Sequence, residues 1–284
     1  MRLAMFEENG KTGIAASDGA AWHGLLENEA AFPGCLDSLL GAGVDLAAAG
    51  RELIKKAPQV ELEGKKLLPP LRRPNKIICI GLNYADHAAE SGVAIPNYPD
   101  MFLRVGTSLC GHNQPLLKSR HSDKFDYEAE LAMVVGKGGR DISPDKALEH
   151  VAGYAVFNDG SMRDYQGRVS QWCTGKNFDS SGAFGPWLVT ADALPPGADG
   201  LDIKLRLNGK TMQHSNTRHL IFNIATLIAC ISQGMTLLPG DVFVTGTPAG
   251  VGATMTPPVF MRPGDVCEVE IEGIGTLSNP VVEG

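Results

Sequence analysis

FDYEAELAMVV, residues 125–135, decides how this chain is read. As a β-strand it alternates between two faces. Tyr127, Ala129, Leu131, Met133 and Val135 make an apolar face suited to a core, while Asp126, Glu128 and Glu130 share the other. Carboxylates two residues apart on one strand face repel each other. Solvent, basic neighbours or a bound cation must offset that repulsion. A lone Glu-x-Glu is ordinarily a solvated strand face, so the stretches on either side carry the decision.

Upstream, KIICIGL (76–82) reads as a buried strand that runs into NYADHAAESG, a short helix with Asn83 as cap and Gly92 as stop. His87 and Glu90 stand three apart and share a helical face. A carboxylate that orients an imidazole raises its basicity and makes a general base, although the same spacing also makes ordinary surface pairs. Downstream, SPDKALEH (143–150) predicts a helix with Ser143 as cap and Pro144 at its first position. VAGYAVFND (151–159) is a strand ending at Asn158 and Asp159, and SMRDYQ sets Arg163 and Gln166 on one face. Lys176 follows in an irregular loop. A fork, an amide and an ammonium would suit a substrate carboxylate and a developing enolate.

Further on, IKLRLNGKTMQH predicts a hairpin about Asn208-Gly209. HLIFNIATLIACISQG (219–234) predicts a helix with Leu220, Ile224, Leu227, Ile228 and Ile231 on one stripe and Gly234 as its end. TGTPAGVG (245–252) is glycine-rich like a phosphate loop. It lacks the Lys-Ser or Lys-Thr step and a following helix, which excludes a nucleotide site. Its amides and the Thr247 hydroxyl could hold a carboxylate instead.

The first section differs in character. RLAMFE, TGIAA and AWHGLL form a β-meander, and CLDSLLGAGVDLAAAGRELIKKA carries two helices, the second capped by Asp45. Pro69, Pro70 and Pro74 then suit a linker. We expect a small β-rich and helical domain over 1–72 and a catalytic domain over 73–284. The chain has 284 residues, 43% of them hydrophobic, with net charge -7 and no basic run. That excludes nucleic acid or an anionic membrane as the main partner and favours a small ligand. Acidic residues stand where a signal peptide would be apolar, and no bilayer-spanning run follows. Cys35, Cys79, Cys110, Cys173, Cys230 and Cys267 are scattered without a CxxC pair and read as buried free thiols. A cytoplasmic protein is expected.

GLNYADHAAE, FDYEAELAMVVGK, VAGYAVFNDGSMRDYQ, GKNFD, the run from SNTRH to TGTPAGVG, and PGDVCEVEIEGIGTLSNPV together resemble the fumarylacetoacetate hydrolase family, in order, over residues 76–282. The resemblance implies an α+β protein: a mixed β-sandwich roll preceded by a small α/β N-terminal domain. It implies a homodimer with a divalent metal, Mg²⁺ or Mn²⁺ with Ca²⁺ as a further option, on Glu128, Glu130 and Asp159. His87 with Glu90 becomes the water-activating dyad on a lid segment. Lys176 and Gln166 join them as catalytic residues, Arg163, Thr247, Tyr84 and Arg104 bind the 2-oxo acid substrate, and Asp126 is left out of the ligand set. Arg104 departs from the family's usual lysine, and a planar fork is not equivalent to a compact ammonium.

The expected reaction is metal-dependent hydrolysis of a carbon–carbon bond in a 2,4-dioxo acid, giving pyruvate and a second acid. His87 would deprotonate the attacking water. The alternative keeps the enolate and dispenses with water: decarboxylation of a 2-oxo diacid such as oxaloacetate, or enol–keto isomerisation of a ring-cleavage product. A metal-bound binding protein without catalysis would have no use for the His87–Glu90 pair. Arg104 and the NDGS stretch tilt the substrate toward polar sugar acids rather than aromatic acylpyruvates.

Overall fold

The computed structural model describes residues 1–284. Sheets dominate it. The larger sheet runs from the His23–Leu26 strand through Lys11–Ser17, Arg2–Glu8, Gly182–Thr190, Val151–Asn158, Ala129–Val135, Val242–Val244 and Ile77–Gly81 to an edge at Asp100–Arg104. Most neighbours are antiparallel, but Val242–Val244 and Ile77–Gly81 run parallel. A second, five-stranded sheet is built from Lys210–Asn216, Asp202–Leu207, Val266–Ile271, Gly275–Glu283 and Leu116–Lys118. The largest apolar cluster fills the space between the sheets, with Leu131, Met133 and Tyr154 facing Ile203, Leu205, Val269 and Leu277. This is the mixed α+β roll that the resemblance implied.

The N-terminal meander forms as read, and Asp45 accepts from the Ala48 amide at 3.0 Å to cap the Leu46–Lys56 helix. Its first strand pairs Arg2 with Val189 and Leu3 with Leu188, so residues 1–72 contribute to the same sheet as the later strands. Asn208 and Gly209 both take positive φ, 52° and 76°, which suits the right-handed twist of the hairpin they close.

Five local expectations change. The Ala129–Val135 strand is buried on both faces: beyond Glu130 its second face continues as Ala132 and Val134, packed toward the N-terminal helices. Asn83 is not a helix cap. Tyr84 occupies that position, and the Asn83 amide instead donates to the Thr245 and Phe222 carbonyls. Asn83 also accepts from the amides of Ile221 and Phe222, which holds those residues out of the helix. The long helix therefore begins only at Ile224, capped by Asn223, and Leu220 falls outside it. Ser143 caps nothing: bonds spanning three residues make 143–147 a turn, and a 3₁₀ turn over Ala147–His150 follows in place of the expected helix. The cysteines are all free, but Cys35, Cys173 and Cys230 are only half-buried.

Candidate active site

The acidic stretch is not one continuous strand. Phe125–Asp126 pairs with Ser161–Met162, and the ladder resumes at Ala129. Side chains take over at the break: the Glu128 amide donates to Asn158 Oδ1 at 3.0 Å, and the Ala129 amide to Gln213 Oε1 at 2.9 Å. The Asp159 amide donates to the Glu128 carbonyl at 3.0 Å. This swings Glu128 and Asp159 together. One carboxylate oxygen from each of Glu128, Glu130 and Asp159 lies within 4.8 Å of the others, all buried.

Three cations surround these groups. Lys176 Nζ lies 2.6 Å from both Glu128 and Asp159. Arg163 sends Nε to Asp126 at 2.8 Å, Nη2 to Glu128 at 2.7 Å and Nη1 to Gln166 Oε1 at 2.9 Å. Arg104 pairs with Asp159. Burial alone would push Glu128 up, but Lys176 and Arg163 outweigh it and hold this carboxyl well below its usual range. Burial likewise opposes the Lys176 ammonium, and Asp159 with Glu128 more than restores it. Glu130 alone has no ion pair; it accepts only the Gly246 amide. Burial, then Asp159 and Glu128, push its carboxyl well above the ordinary value. A buried carboxylate without a counter-charge, beside two others and with no nitrogen or sulfur donor, fits a hard divalent cation.

Across the cavity, His87 Nδ1 meets Glu90 Oε1 at 2.8 Å. Glu90 also accepts the Gly250 amide at 3.0 Å and the Thr254 hydroxyl at 3.0 Å. Burial opposes its ionisation, yet these bonds prevail and keep it below the usual carboxylate range. The glycine-rich loop thus holds carboxylates as expected, but they are the protein's own. Gly246 takes Glu130, Gly250 takes Glu90, and Gly252 with Ala253 takes Asp126. Asp126 is spent on this loop and on Arg163.

A cavity of about 320 Å³ joins His87, Glu128, Glu130, Arg163, Gln166, Lys176 and Thr247, walled by Ile80, Phe102, Trp172 and Val251. Two expected substrate contacts lie outside it. Tyr84 is fully buried, its hydroxyl has no partner, and burial with the nearby Glu130 charge pushes it up. Arg104 is buried behind Asp159. Its remaining donors go to Gly160 O at 3.1 Å, Ser181 Oγ at 2.9 Å and Ser108 Oγ at 3.2 Å. Gly182 leaves room for this fork, since a Cβ there would stand 2.6 Å from Arg104 Nη2. The inference from Arg104 toward sugar acids therefore loses its footing: the guanidinium serves Asp159, not the cavity. Asn158, Gln213 and Ser181 were missed. A polar Gln213 at an inward position of a hairpin whose other inward residues are Ile203, Leu205 and Leu207 was the available signal.

Two packed sheets enclose a buried carboxylate trio opposite a histidine held by a glutamate, an arrangement that brings a hard-cation site and a general base to one cavity. Residues 76–282 match the fumarylacetoacetate (FAA) hydrolase C-terminal family, and the chain belongs to that family. It is 38% identical over 289 residues to the oxaloacetate tautomerase fahd2, mitochondrial, of Xenopus laevis, spanning 99% of this chain and 90% of that one. Among solved structures, it is similar to fumarylacetoacetate hydrolase from Exiguobacterium antarcticum (TM-score 0.85, 37% identity, all of both chains). It is also similar to maleylpyruvate hydrolase from Sphingobium sp. SYK-6 in complex with manganese(II) and pyruvate (TM-score 0.81, 31% identity, all of both chains). The relatives are enzymes. No helix here is long and apolar enough to cross a membrane.

Proposed function

We propose that this protein is an enol–keto tautomerase of a small 2-oxo dicarboxylic acid of the oxaloacetate type. The observation that carries the reading is similarity over 99% of the chain, at 38% identity, to proteins described as oxaloacetate tautomerases, with the fumarylacetoacetate hydrolase and maleylpyruvate hydrolase structures at 37% and 31%. The sequence alone favoured carbon–carbon hydrolysis; the comparisons support its alternative better. A cavity of about 320 Å³ also suits a ligand of this size.

The roles follow from the donors left over. Arg163 donates Nε to Asp126 and Nη1 to Gln166, while Nη2 lies beside Glu128 without a hydrogen-bond partner, so Nη2 is the group left to meet a substrate carboxylate. With its Nδ1–H donated to Glu90, His87 offers Nε2 as the acceptor for the proton on the carbon beside the 2-oxo group. As that proton leaves, negative charge gathers on the 2-oxo oxygen, opposed by the Lys176 ammonium. Returning the proton to carbon or to oxygen gives the two tautomers. A Mg²⁺ or Mn²⁺ ion on Glu128, Glu130 and Asp159 supplies Lewis-acid polarisation of the 2-oxo acid when bound.

The manganese- and pyruvate-containing neighbour supports a second reading, in which His87 takes its proton from water and a 2,4-dioxo acid is cleaved. One experiment separates them. Oxaloacetate enol and a panel of acylpyruvates are given with Mg²⁺ and with Mn²⁺, and products are followed by NMR. The tautomerase reading expects faster enol loss without CO₂ and without cleavage. Cleavage of an acylpyruvate, with enol decay no faster than in buffer, sinks it. Six free cysteines agree with a reducing compartment, which we propose as its location. We also propose a homodimer, supported by the edge strand Asp100–Arg104, which turns Met101 and Leu103 to solvent; light scattering tests it.

A further inference from the structure

Gln213 belongs to none of the groups that face the cavity, yet it touches two of the segments that build it. It sits on the Lys210–Asn216 strand of the second sheet, 1% exposed. Its Oε1 accepts the Ala129 amide, between Glu128 and Glu130, at 2.9 Å. Its Nε2 donates to the Pro248 carbonyl and to Thr247 Oγ1, each at 2.8 Å.

The orientation of this amide is dictated by chemistry. A backbone N–H can only donate, so the atom facing Ala129 must be the oxygen. A proline carbonyl can only accept, so the atom facing Pro248 must be the nitrogen. The nitrogen has no lone pair to offer, and Thr247 Oγ1 must therefore accept from it. The Thr247 proton is thereby turned away from Gln213. Thr247 is 3% exposed, makes no other hydrogen bond within the protein, and lines the cavity beside Arg163 and Lys176.

We propose that Gln213 is a positioning residue that compels the Thr247 hydroxyl to donate into the cavity, toward the carboxylate of a bound 2-oxo acid. The proposal rests on the 2-oxo acid reading above. It assigns a polarity to the site: Thr247 serves as a fixed donor, and an acid is preferred over a ligand that presents a donor there. The Ala129 contact lies beside the metal ligands, which is why binding is compared at saturating Mn²⁺, where a change in metal affinity does not register.

The test is pyruvate binding by calorimetry at saturating Mn²⁺, on the wild type, Thr247→Val, Gln213→Met and the double variant. A hydrogen bond to a charged group converts to roughly ten- to hundred-fold in affinity. Thr247→Val and Gln213→Met should each weaken pyruvate by about that factor, and the double variant no further than Thr247→Val alone. In a Thr247→Ser background, which restores the hydroxyl, the Gln213→Met loss should return. A merely structural role for Gln213 would instead give losses that add in the Thr247→Val background, and that result overturns the proposal. Should Gln213→Met not fold, Thr247→Val still decides, because pyruvate affinity unchanged by losing the hydroxyl overturns it equally. Absence of pyruvate binding by the Mn²⁺-loaded wild type removes the 2-oxo acid reading, and the assignment with it.

Discussion

Replacing Lys176 by methionine should make the stability of the protein depend on metal. Lys176 is 2% exposed and its ammonium bridges Glu128 and Asp159 at 2.6 Å each. Methionine keeps most of the volume and removes the charge. Three cations then become two against the four carboxylates Asp126, Glu128, Glu130 and Asp159. Taking one partner from a buried ion pair costs about 3–5 kcal/mol, because the charges left behind stay desolvated. At roughly 2–4 °C per kcal/mol for a chain of a few hundred residues, the metal-free variant should melt about 6–20 °C below the wild type. Mn²⁺ on the same oxygens supplies positive charge where the ammonium is missing, so its addition should return much of the loss. The gain on adding Mn²⁺ should be larger for Lys176→Met than for the wild type. Calorimetry on chelator-treated and Mn²⁺-loaded samples reads both quantities. A metal-free variant that melts with the wild type, or equal Mn²⁺ gains in the two proteins, would refute the claim that Lys176 is the internal counter-ion of this cluster.

Other outcomes follow from the same geometry. His87→Ala should lower turnover by about 10²–10⁴-fold with Mn²⁺ affinity retained, and Glu90→Gln should lower it less, since an amide still orients the ring; steady-state rates and metal titration separate the two effects. The Mn²⁺-induced rise in melting temperature should grow as the pH is raised above the ordinary carboxylate range. The sign comes from Glu130: its raised carboxyl favours the metal-free fold at low pH, that contribution is lost as pH rises through the raised value, and the metal needs the anion. Glu128, held low, works the other way and loses its stabilisation only on strong acidification, so a flat pH response would contradict this account. Gly182→Ala places a methyl 2.6 Å from Arg104 Nη2 and displaces the fork from Asp159, so it should lower the melting temperature of the metal-free protein and enlarge the Mn²⁺-induced gain, as for Lys176→Met, which calorimetry checks.

How much of this was legible depends on the range over which each residue acts. His87 and Glu90 meet because a single helical turn carries both, and the N-terminal meander forms because its turns are local; such features can be read along the chain. The carboxylate trio was legible as an ordered set of motifs, although the strand drawn through all of FDYEAELAMVV was too long. It breaks at Tyr127–Glu128 because Asn158 and Gln213, 30 and 84 residues away from the amides they accept, replace its ladder partners. Asn83 looked like a cap on local grounds and was recruited by Phe222 and Thr245, more than a hundred residues on. Arg104 resembled a substrate contact because it stands where the family usually carries a lysine. Only the approach of Ser108, Gly160 and Ser181 from three separate segments shows it turned inward.

The glycine-rich loop has a mechanical consequence. Within seven residues, its amides grip Glu130 of the carboxylate trio, Glu90 behind the base, and Asp126 behind the arginine fork. A displacement of the loop therefore carries metal ligand, base support and fork support in the same direction. A substitution that shifts this loop should disturb all three supports together rather than one at a time.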